Sequence, residues 1–235
     1  MGAKMGFEGK HVVVTGGTGA LGQSVVRALS ASGAICHVPQ RGPVDPAKSP
    51  FNNQQNVHLT GGVDLTEAAS VQTFYTGLPP LWASLHMAGG FAMAPLADTS
   101  AEDFMAQISM NALSCFLCCR AAVTAMGLGG GRIVNVAARP ALEPRLGAGM
   151  VAYTASKAAV AALTQALGEE LADKGILVNA VAPSIMDTPA NRQAMPKADH
   201  AAWPTTDQVA AVILSLAVPE NEVARGGILP VYGRS

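Results

Sequence analysis

The sequence has little charge and few aromatic residues. Only 13% of its 235 residues are Asp, Glu, Lys or Arg, and 5% are Phe, Trp or Tyr. Disordered chains are highly charged and poorly hydrophobic, whereas 49% of this chain is hydrophobic, so we predict a folded core. The net charge of −1 leaves no basic surface for DNA or RNA. The scarcity of aromatic rings also argues against stacking on single-stranded bases.

Long apolar runs are missing as well. Residues 1–6 lack the apolar region of a signal peptide, and position 6 is Gly rather than the Ser or Thr of a myristoylation motif. The most apolar stretch, Ala112 to Ala125, is shorter than the about 20 residues that span a bilayer. We therefore expect a cytoplasmic protein that does not bind membranes.

Cysteine is scarce, and three of the four cysteines lie close together in the chain. Cys115 and Cys118 have the spacing of half a zinc site or of a redox pair. A structural zinc site needs four ligands, and the sequence offers no second pair and no neighbouring His. We therefore predict that Cys36, Cys115, Cys118 and Cys119 are small buried side chains and that the protein holds no metal.

Strand and helix patterns alternate along the whole chain. Apolar runs predict strands at 12–14, 35–38, 57–59, 82–87, 133–136, 176–181 and 228–231. Helical patterns occur at 21–32, 65–75, 102–126, 153–173 and 206–217. Such alternation builds βαβ units, so we predict an α/β fold with a Rossmann-type, doubly wound parallel sheet flanked by helices on both faces. Without a linker or repeat, residues 1–235 are predicted to form one domain.

A glycine-rich turn follows the first predicted strand. Its G-x-G-x-x-G pattern lies between a strand and a helix, which is the context that indicates a dinucleotide site. Glycines let the backbone approach a pyrophosphate, and the helix N-terminus offers free N–H groups. The alternative is a glycine-rich turn without a ligand; a P-loop is excluded because no Gly-Lys-Ser/Thr follows. The predicted cofactor contacts here are Gly16, Gly17, Thr18, Gly19, Ala20, Leu21 and Gly22.

The residues at the end of the second predicted strand determine whether NAD(H) or NADP(H) is preferred. Gln40 stands where an acidic residue would bind the ribose 2′-hydroxyl of NAD(H), and Arg41 follows it. Because a guanidinium suits a phosphate and no carboxylate opposes it, we predict NADP(H) over NAD(H). The alternative is that Arg41 is a solvated loop charge. Asp64 either accepts a hydrogen bond from the adenine amino group or caps the following helix, and Leu65 beside it is a further predicted cofactor contact.

Tyr153 and Lys157 lie four residues apart in a predicted helix and therefore share a face. A phenol with a pKa of about 10 is a poor acid–base group at neutral pH. A neighbouring ammonium would lower that pKa, and it could also bind a nicotinamide ribose. Taken alone, the two residues are better explained as a pair on the helix surface.

Together with the glycine turn, however, Tyr153-x-x-x-Lys157 resembles the short-chain dehydrogenase/reductase family, and the resemblance covers nearly the whole chain. It implies that Tyr153 donates a proton, that Lys157 tunes its pKa and that Asn111 anchors a water relay. It also implies a homodimer or homotetramer that uses the helix from Asn111 to Met126, with one of its cysteines near the contact. Further cofactor contacts are implied for Ala88, Gly89, Gly90, Pro183, Ser184, Ile185 and Thr188.

The catalytic serine of that family is absent. Ala138 occupies its position and has no hydroxyl for a substrate carbonyl oxygen, a loss of about 10²–10³ in rate. Three explanations remain open. The substrate is not an ordinary ketone or alcohol; or His86, Thr154 or a water substitutes; or the protein is a nucleotide-binding sensor that has lost catalysis.

One branch of the family, the dihydropteridine reductases, also lacks this serine. Ala88-Gly89-Gly90-Phe91 resembles the stretch that lines its pterin site, and the segment from Asp187 to Trp203 resembles its loop after the sixth strand. Those reductases carry an acidic residue where Gln40 stands. Their substrate is reduced at a conjugated C=N system, where no alkoxide develops and a serine donor matters less.

We therefore predict an NAD(P)H-dependent oxidoreductase that transfers a hydride to a small C=O or C=N substrate, with a dihydropteridine as one candidate. The predicted substrate loop spans about residues 184–205. Its apolar residues either cover the substrate or pack locally onto the sheet edge. The predicted substrate contacts are Phe91, whose ring could stack on a flat heterocycle, together with Ala138, Met186 and Trp203.

Overall fold

A computed structural model describes residues 6–235, and its strands and helices alternate along the chain. The strands are β1 (His11–Thr15), β2 (Ile35–Pro39), β3 (Val57–Thr60), β4 (Ala83–His86), β5 (Gly131–Val136), β6 (Ile176–Pro183) and β7 (Ile228–Val231). The α-helices are α1 (Ala20–Ala31), α2 (Ala68–Thr76), α3 (Ala101–Gln107), α4 (Ser114–Met126), α5 (Arg139–Leu142), α6 (Val151–Glu170), α7 (Pro189–Ala194) and α8 (Thr206–Ala217).

The strands of the described chain form one seven-stranded sheet in the order β3-β2-β1-β4-β5-β6-β7. Every neighbouring pair is parallel. The chain runs outward from β1 to β3 and then returns to place β4 on the other side of β1. This reversal opens a crevice beyond the carboxyl ends of β1 and β4, where open α/β sheets bind ligands.

Both faces of the sheet are covered, which confirms the predicted Rossmann-type architecture. In β1, Val12 and Val14 belong to the apolar layer that includes α1 and α8, whereas Val13 belongs to the layer that includes α2, α4 and α6. All three side chains are fully buried. Alternate side chains of β1 thus pack into the two apolar layers, one on each face of the sheet. This explains why the sequence of the strand is continuously apolar.

Two predicted helices differ from the structure. The helix expected from Leu65 begins at Ala68, because Asp64 accepts hydrogen bonds from the backbone and the hydroxyl of Thr66 and folds residues 64–66 into a turn. The helix expected over 102–126 is interrupted by a π-helical segment, Ile108–Leu113, which lies between α3 and α4. Such segments are frequent at functional sites, and this one carries Asn111.

The apolar helical region around α4 extends beyond the stretch from Ala112 to Ala125 that is the most apolar part of the sequence. By length and composition alone, the run Ala101–Gly129 could cross a membrane, and half of its most apolar window is buried inside the protein. Helices in the cores of soluble proteins meet the same criteria. Here α4 packs on α2, α6, β4 and β5, so it is one of the core helices of the fold.

Candidate active site

The glycine turn is shaped by contacts that exclude side chains. A Cβ on Gly22 would lie 2.1 Å from the Gly16 carbonyl oxygen, and one on Gly17 would lie 2.7 Å from Val38. Gly16 itself has a φ of 65°, which favours glycine. Gly19 caps α1 without a side-chain hydrogen bond, and the first turn holds no acidic residue. The N–H groups of Thr18, Ala20 and Leu21 therefore lie at or near a helix N-terminus that fits a pyrophosphate, whereas the Gly19 N–H already donates to the Gly16 carbonyl oxygen at 3.0 Å.

A second backbone segment follows β4 and lies beside this turn. The Ala88 N–H donates to Thr15 Oγ1 at 3.3 Å, and a Cβ on Gly16 would lie 2.6 Å from the Ala88 nitrogen. A Cβ on Gly89 would lie 2.6 Å from Asn111 Oδ1 and 3.3 Å from Lys157 Nζ. Gly89 therefore brings the predicted cofactor-binding backbone close to two of the predicted catalytic side chains.

Asn111 fastens the segment after β4 to α6. Its Oδ1 accepts the Gly90 N–H at 3.0 Å, and its Nδ2 donates to the Gly90 carbonyl and to Ser156 Oγ, both at 3.1 Å. The amide group of Asn111, which is buried, is thus fully used in holding Gly90 beside the helix that carries Tyr153. In this structure the Asn111 side chain acts as a clamp; its predicted role in a water relay stays a prediction.

Lys157 lies below Tyr153 and points to the end of β5. Its Nζ donates to the Val136 carbonyl at 2.8 Å, and its side chain is almost completely buried. Burial lowers the pKa of Lys157 to about 8. The ammonium is therefore fixed at the end of β5, at the base of the crevice, where it could donate a hydrogen bond to a ribose hydroxyl.

Tyr153 lies at the mouth of the crevice, with the Phe91 ring packed edge-on against its ring at a centroid distance of 4.9 Å. Among residues 6–235, no side chain or backbone group hydrogen-bonds its hydroxyl. Burial raises the pKa of Tyr153 to about 12, so the lowering expected from Lys157 is not found. At neutral pH the phenol keeps its proton and is suited to donate it.

Ala138 lies two residues beyond Val136, whose carbonyl accepts the Lys157 hydrogen bond, and is buried. Of the proposed substitutes for a serine, His86 is already occupied, since its two ring nitrogens lie within hydrogen-bond distance of Ser84 Oγ and Asn135 Oδ1. Thr154 Oγ1 is buried without a hydrogen-bond partner in the described chain, but it packs on Gly147 rather than on Tyr153. The described part of the crevice thus offers no evident hydroxyl in place of the serine.

The prediction of NADP(H) assumed that no carboxylate lies opposite Arg41, and this assumption was wrong. Arg41 donates from Nε and Nη2 to Asp64 Oδ2 at 3.0 and 2.5 Å. Hydrogen bonds from Thr66 and then from Arg41 lower the pKa of Asp64 to about 2. The alternative that Asp64 caps α2 is also wrong, because Glu67 occupies that position. The hydrogen bond from adenine to Asp64 stays a prediction. The neighbouring Leu65 packs against the core layer with α2.

A cavity of about 520 Å³ opens beside Gln40, at the same end of the crevice. Thr18 and Gln40 line it, and so does a basic residue that the sequence reasoning missed, Lys48. The Lys48 side chain is 86% exposed and lies 3.5 Å from Asp45, so its ammonium can reorient. Lys48 lies in the irregular segment between β2 and β3, where no periodic pattern could have indicated its direction.

Residues 183–188 leave the end of β6, beside β5, and complete the rim. Pro183 is the last residue of that strand, and Ile185 is 42% exposed. Ser184 Oγ donates to the Tyr232 carbonyl, so this side chain binds the C-terminal segment. Thr188 caps α7 by accepting the Asn191 N–H. The backbone positions suit a cofactor rim, and the individual contacts stay predictions.

The predicted substrate loop is closed at its base by Asp187 and Thr205, which form an isolated parallel bridge. Met186 packs against the core layer with α1 and α8, and Trp203 is 7% exposed and lies against His200. These contacts agree with the alternative that both residues pack locally. The exposed apolar side chains near Tyr153 are instead Phe91, at 60%, and Met93, at 65%.

All four cysteines are buried and free, as predicted. The expectation that no histidine lies near them was wrong, because Cys119 Sγ is 3.6 Å from His86 Nδ1. Cys115, Cys118 and Cys119 face the core, so α4 presents other residues to its surroundings.

Residues 10–199 match the family model of the short chain dehydrogenases. Galactitol 2-dehydrogenase of Rhizobium johnstonii is 32% identical over 97% of this chain and 95% of its own length. D-threitol dehydrogenase of Mycolicibacterium smegmatis is 27% identical, with 97% and 93% covered. The 3-oxoacyl-[acyl-carrier-protein] reductase of Rattus norvegicus is 29% identical over 76% of each chain. These names point to polyols and oxoacyl groups and do not specifically support the resemblance to dihydropteridine reductases.

Among solved structures, ElxO with NADP bound superposes with a TM-score of 0.88 at 25% identity, covering 96% of this chain and 98% of that one. A short chain dehydrogenase/reductase family protein also reaches 0.88, at 26% identity. The similarity spans the sheet, the glycine turn and the helix that carries Tyr153 and Lys157.

Proposed function

The chain belongs to the short chain dehydrogenase family, and from this premise we propose that it is an NADPH-dependent reductase of a small, flat, conjugated C=N or C=O substrate. The observation that carries the proposal is the pairing of a free Tyr153 hydroxyl with a methyl group at Ala138. A proton donor is present, while the hydroxyl that would bind a developing alkoxide is missing. A conjugated C=N group develops no alkoxide when it is reduced, so it tolerates this loss best.

The crevice fits the cofactor because close backbone contacts exclude a Cβ at Gly16 and Gly22, so the turn packs tightly without side chains and leaves the helix N-terminus open to a pyrophosphate. The backbone from Gly16 to Gly22 would hold the pyrophosphate, and Lys157 would hold the nicotinamide ribose. When bound, the nicotinamide supplies the hydride. Tyr153 then delivers the proton, a contribution typically worth about 10²–10⁴ in rate. Asn111 positions Gly90, and through it the floor of the substrate site.

We infer the substrate class from the side chains at the mouth of the crevice. Phe91 and Met93 are exposed apolar side chains, and the Phe91 ring packs edge-on against the Tyr153 ring. A flat heterocycle can lie on the Phe91 ring with its reducible bond near the Tyr153 hydroxyl. A quinonoid dihydropterin has this shape and chemistry, so it is the first substrate to test.

Two other functions have a specific observation in their favour. The polyol dehydrogenases among the relatives favour an ordinary carbonyl or hydroxyl substrate, with a water in place of the serine. Ala138 itself favours a nucleotide-binding sensor without catalysis. Against the sensor stand Tyr153, Lys157 and Asn111, since binding alone does not require all three.

We also propose a preference for NADP(H). Gln40 places no negative charge at the end of β2, and ElxO, a structural neighbour, was solved with NADP. Arg41 is held by Asp64 at 2.5 Å, whereas Lys48 lies 3.5 Å from Asp45 and lines the cavity beside Gln40, so Lys48 is the cation that best fits a 2′-phosphate. The proposed working form is a cytoplasmic homodimer or homotetramer of one-domain chains.

The decisive experiment follows NADPH oxidation with a quinonoid dihydropterin, a diketone and a ketose, using wild type and Tyr153→Phe. Turnover of the dihydropterin that falls about 10²–10⁴ in the variant supports the proposal. Turnover of the ketose alone replaces it with a carbonyl reductase. Tight NADPH binding without turnover of any substrate favours the sensor.

A further inference from the structure

Three metal-ligating side chains meet in the core beneath the candidate active site. His86 is the last residue of β4, and Cys115 and Cys119 lie one helical turn apart on α4. Their ligand atoms all lie within 4.8 Å of one another, and all three residues are buried. None of them takes part in the reaction proposed above.

Asn135, on the neighbouring strand β5, adds an oxygen to this group. Its Oδ1 lies 2.8 Å from His86 Nδ1 and 3.7 Å from Cys119 Sγ. Its Nδ2 donates to Thr164 Oγ1 at 2.9 Å, which fixes the oxygen as the atom that faces the cluster. Four donor atoms from β4, β5 and α4 therefore point at one place.

The histidine ring is supported from its other side. His86 Nε2 lies 2.9 Å from Ser84 Oγ, which in turn lies 2.8 Å from the Tyr75 hydroxyl. Histidines that bind metals commonly donate their second ring N–H to such a partner, which leaves the first nitrogen free for the metal. In the structure Nδ1 donates to Asn135 Oδ1, so binding of a metal through Nδ1 requires the ring proton to move to Nε2, where Ser84 Oγ accepts it.

We propose that His86, Cys115, Cys119 and Asn135 form a buried structural site for one Zn²⁺ ion. Two thiolates, a neutral imidazole and a neutral amide balance the ion's charge, which the apolar surroundings require. The two thiol protons leave to solvent when the metal binds. Soft thiolates with an imidazole also suit zinc better than Mg²⁺ or Ca²⁺.

The observed spacing is close to that of a tetrahedral zinc site. With Zn–S near 2.3 Å and Zn–N near 2.0 Å, neighbouring ligand atoms lie roughly 3.5–3.8 Å apart. Cys119 Sγ already lies 3.6 Å from His86 Nδ1 and 3.7 Å from Asn135 Oδ1. Closing the site requires Cys115 to approach and the His86 and Asn135 atoms to separate slightly.

Such an ion would tie the start of α4 to the ends of β4 and β5. Asn111 lies one turn before Cys115, so the ion would also steady the residue that clamps Gly90. Because the site is buried, the metal must enter during folding.

The test is to express the full chain with added zinc and to refold it under reducing conditions with Zn²⁺ or Co²⁺. We expect one zinc ion per chain, a thiolate-to-cobalt charge-transfer band, and a Tm that falls when the metal is withheld during refolding. Cys119→Ser and His86→Leu should lose the metal. Cys118→Ala is the matched control, because Cys118 is equally buried on the same helix but lies outside the cluster; it should keep the metal.

Wild-type protein that contains far less than one metal per chain after both treatments, with no cobalt band, would overturn the proposal. So would metal that stays bound in Cys119→Ser. If the variants do not fold, the metal content and the cobalt spectrum of the wild type still decide between the outcomes.

Discussion

The Lys157 ammonium donates to the Val136 carbonyl at 2.8 Å, and within residues 6–235 it forms no salt bridge with a carboxylate. Burial lowers the pKa of Lys157 to about 8 and raises the pKa of Tyr153 to about 12. Below pH 8 both groups are therefore protonated, which suits proton donation during reduction. We expect kcat/KM for reduction to be level up to about pH 8 and to fall above it, as Lys157 loses its charge.

The check is a pH–rate profile of wild type and Lys157→Arg. Arg stays charged throughout this range, so the residual activity of the variant should lack the decline near pH 8. A wild-type profile that stays flat to pH 10 would show that Lys157 does not titrate as the structure indicates.

A hydroxyl restored at position 138 should separate the two substrate classes. In Ala138→Ser, kcat/KM for a carbonyl substrate should rise by up to about 10²–10³, because the new donor meets a developing alkoxide. Reduction of a C=N substrate should change little. Ala137→Ser is the control, since Ala137 is buried in the core layer with α2 and α4 and should not improve either activity. No gain for the carbonyl substrate would mean that another donor already fills the serine's role.

Lys48 should matter more than Arg41 for cofactor choice. Replacing Lys48 with Met should weaken NADPH binding by about tenfold and leave NADH binding unchanged, because only the 2′-phosphate faces this charge. Arg41→Met should have a smaller effect, since Asp64 already holds the guanidinium. Dissociation constants for both cofactors test this. Equal loss of NADH and NADPH binding in Lys48→Met would contradict it.

Much of the fold could be predicted because its signals are local. The run Val12–Val14, the glycines after it and the helix beyond are neighbours in the chain, and each imposes its own backbone geometry. The glycine turn is the clearest case. The Gly16 carbonyl oxygen, only six residues away, leaves no room for a Cβ at position 22, so this position must be glycine. Tyr153 and Lys157 were predictable for the same reason, because they lie one helical turn apart.

The parts that could not be predicted depend on which strand ends lie side by side. Arg41 and Asp64 follow β2 and β3 and are 23 residues apart, so their ion pair appears only once those strands are neighbours. His86 and Cys119 are 33 residues apart and meet only because α4 packs on β4. The π-helical segment around Asn111 likewise has no periodic signature in the sequence.

The outer face of α3, α4 and the segment between them should form the subunit contact. Its exposed apolar side chains are Phe104, Met105, Met110, Leu113 and Phe116. Phe116→Glu places a charge on this face and should yield monomers in light scattering. Val223→Glu, at a more exposed apolar residue in the segment before β7, is the control and should leave the oligomer intact. A wild type that is already monomeric would refute the proposed oligomer.

Three stacked histidines should make the fold sensitive to acid. His37 lies between His11 and His58 at ring distances of 5.2 and 5.5 Å, and its pKa is lowered to about 4 by burial and then by the charges of these two neighbours. The unfolded chain, in which a histidine has a pKa of about 6.5, therefore binds more protons between pH 6.5 and 4. The free energy of unfolding should fall as the pH drops through this window, by at most about 1.4 kcal/mol per pH unit for His37.

Urea unfolding at pH 7, 6, 5 and 4 measures this slope, and His37→Phe should flatten it because an uncharged ring occupies the same place. The same variant should be less stable than wild type at pH 7, since His11 Nδ1 loses its 2.9 Å hydrogen bond to His37. His200→Phe, which lies outside the stack, should keep the wild-type slope. Equal slopes in wild type and His37→Phe would mean that other groups carry the acid sensitivity.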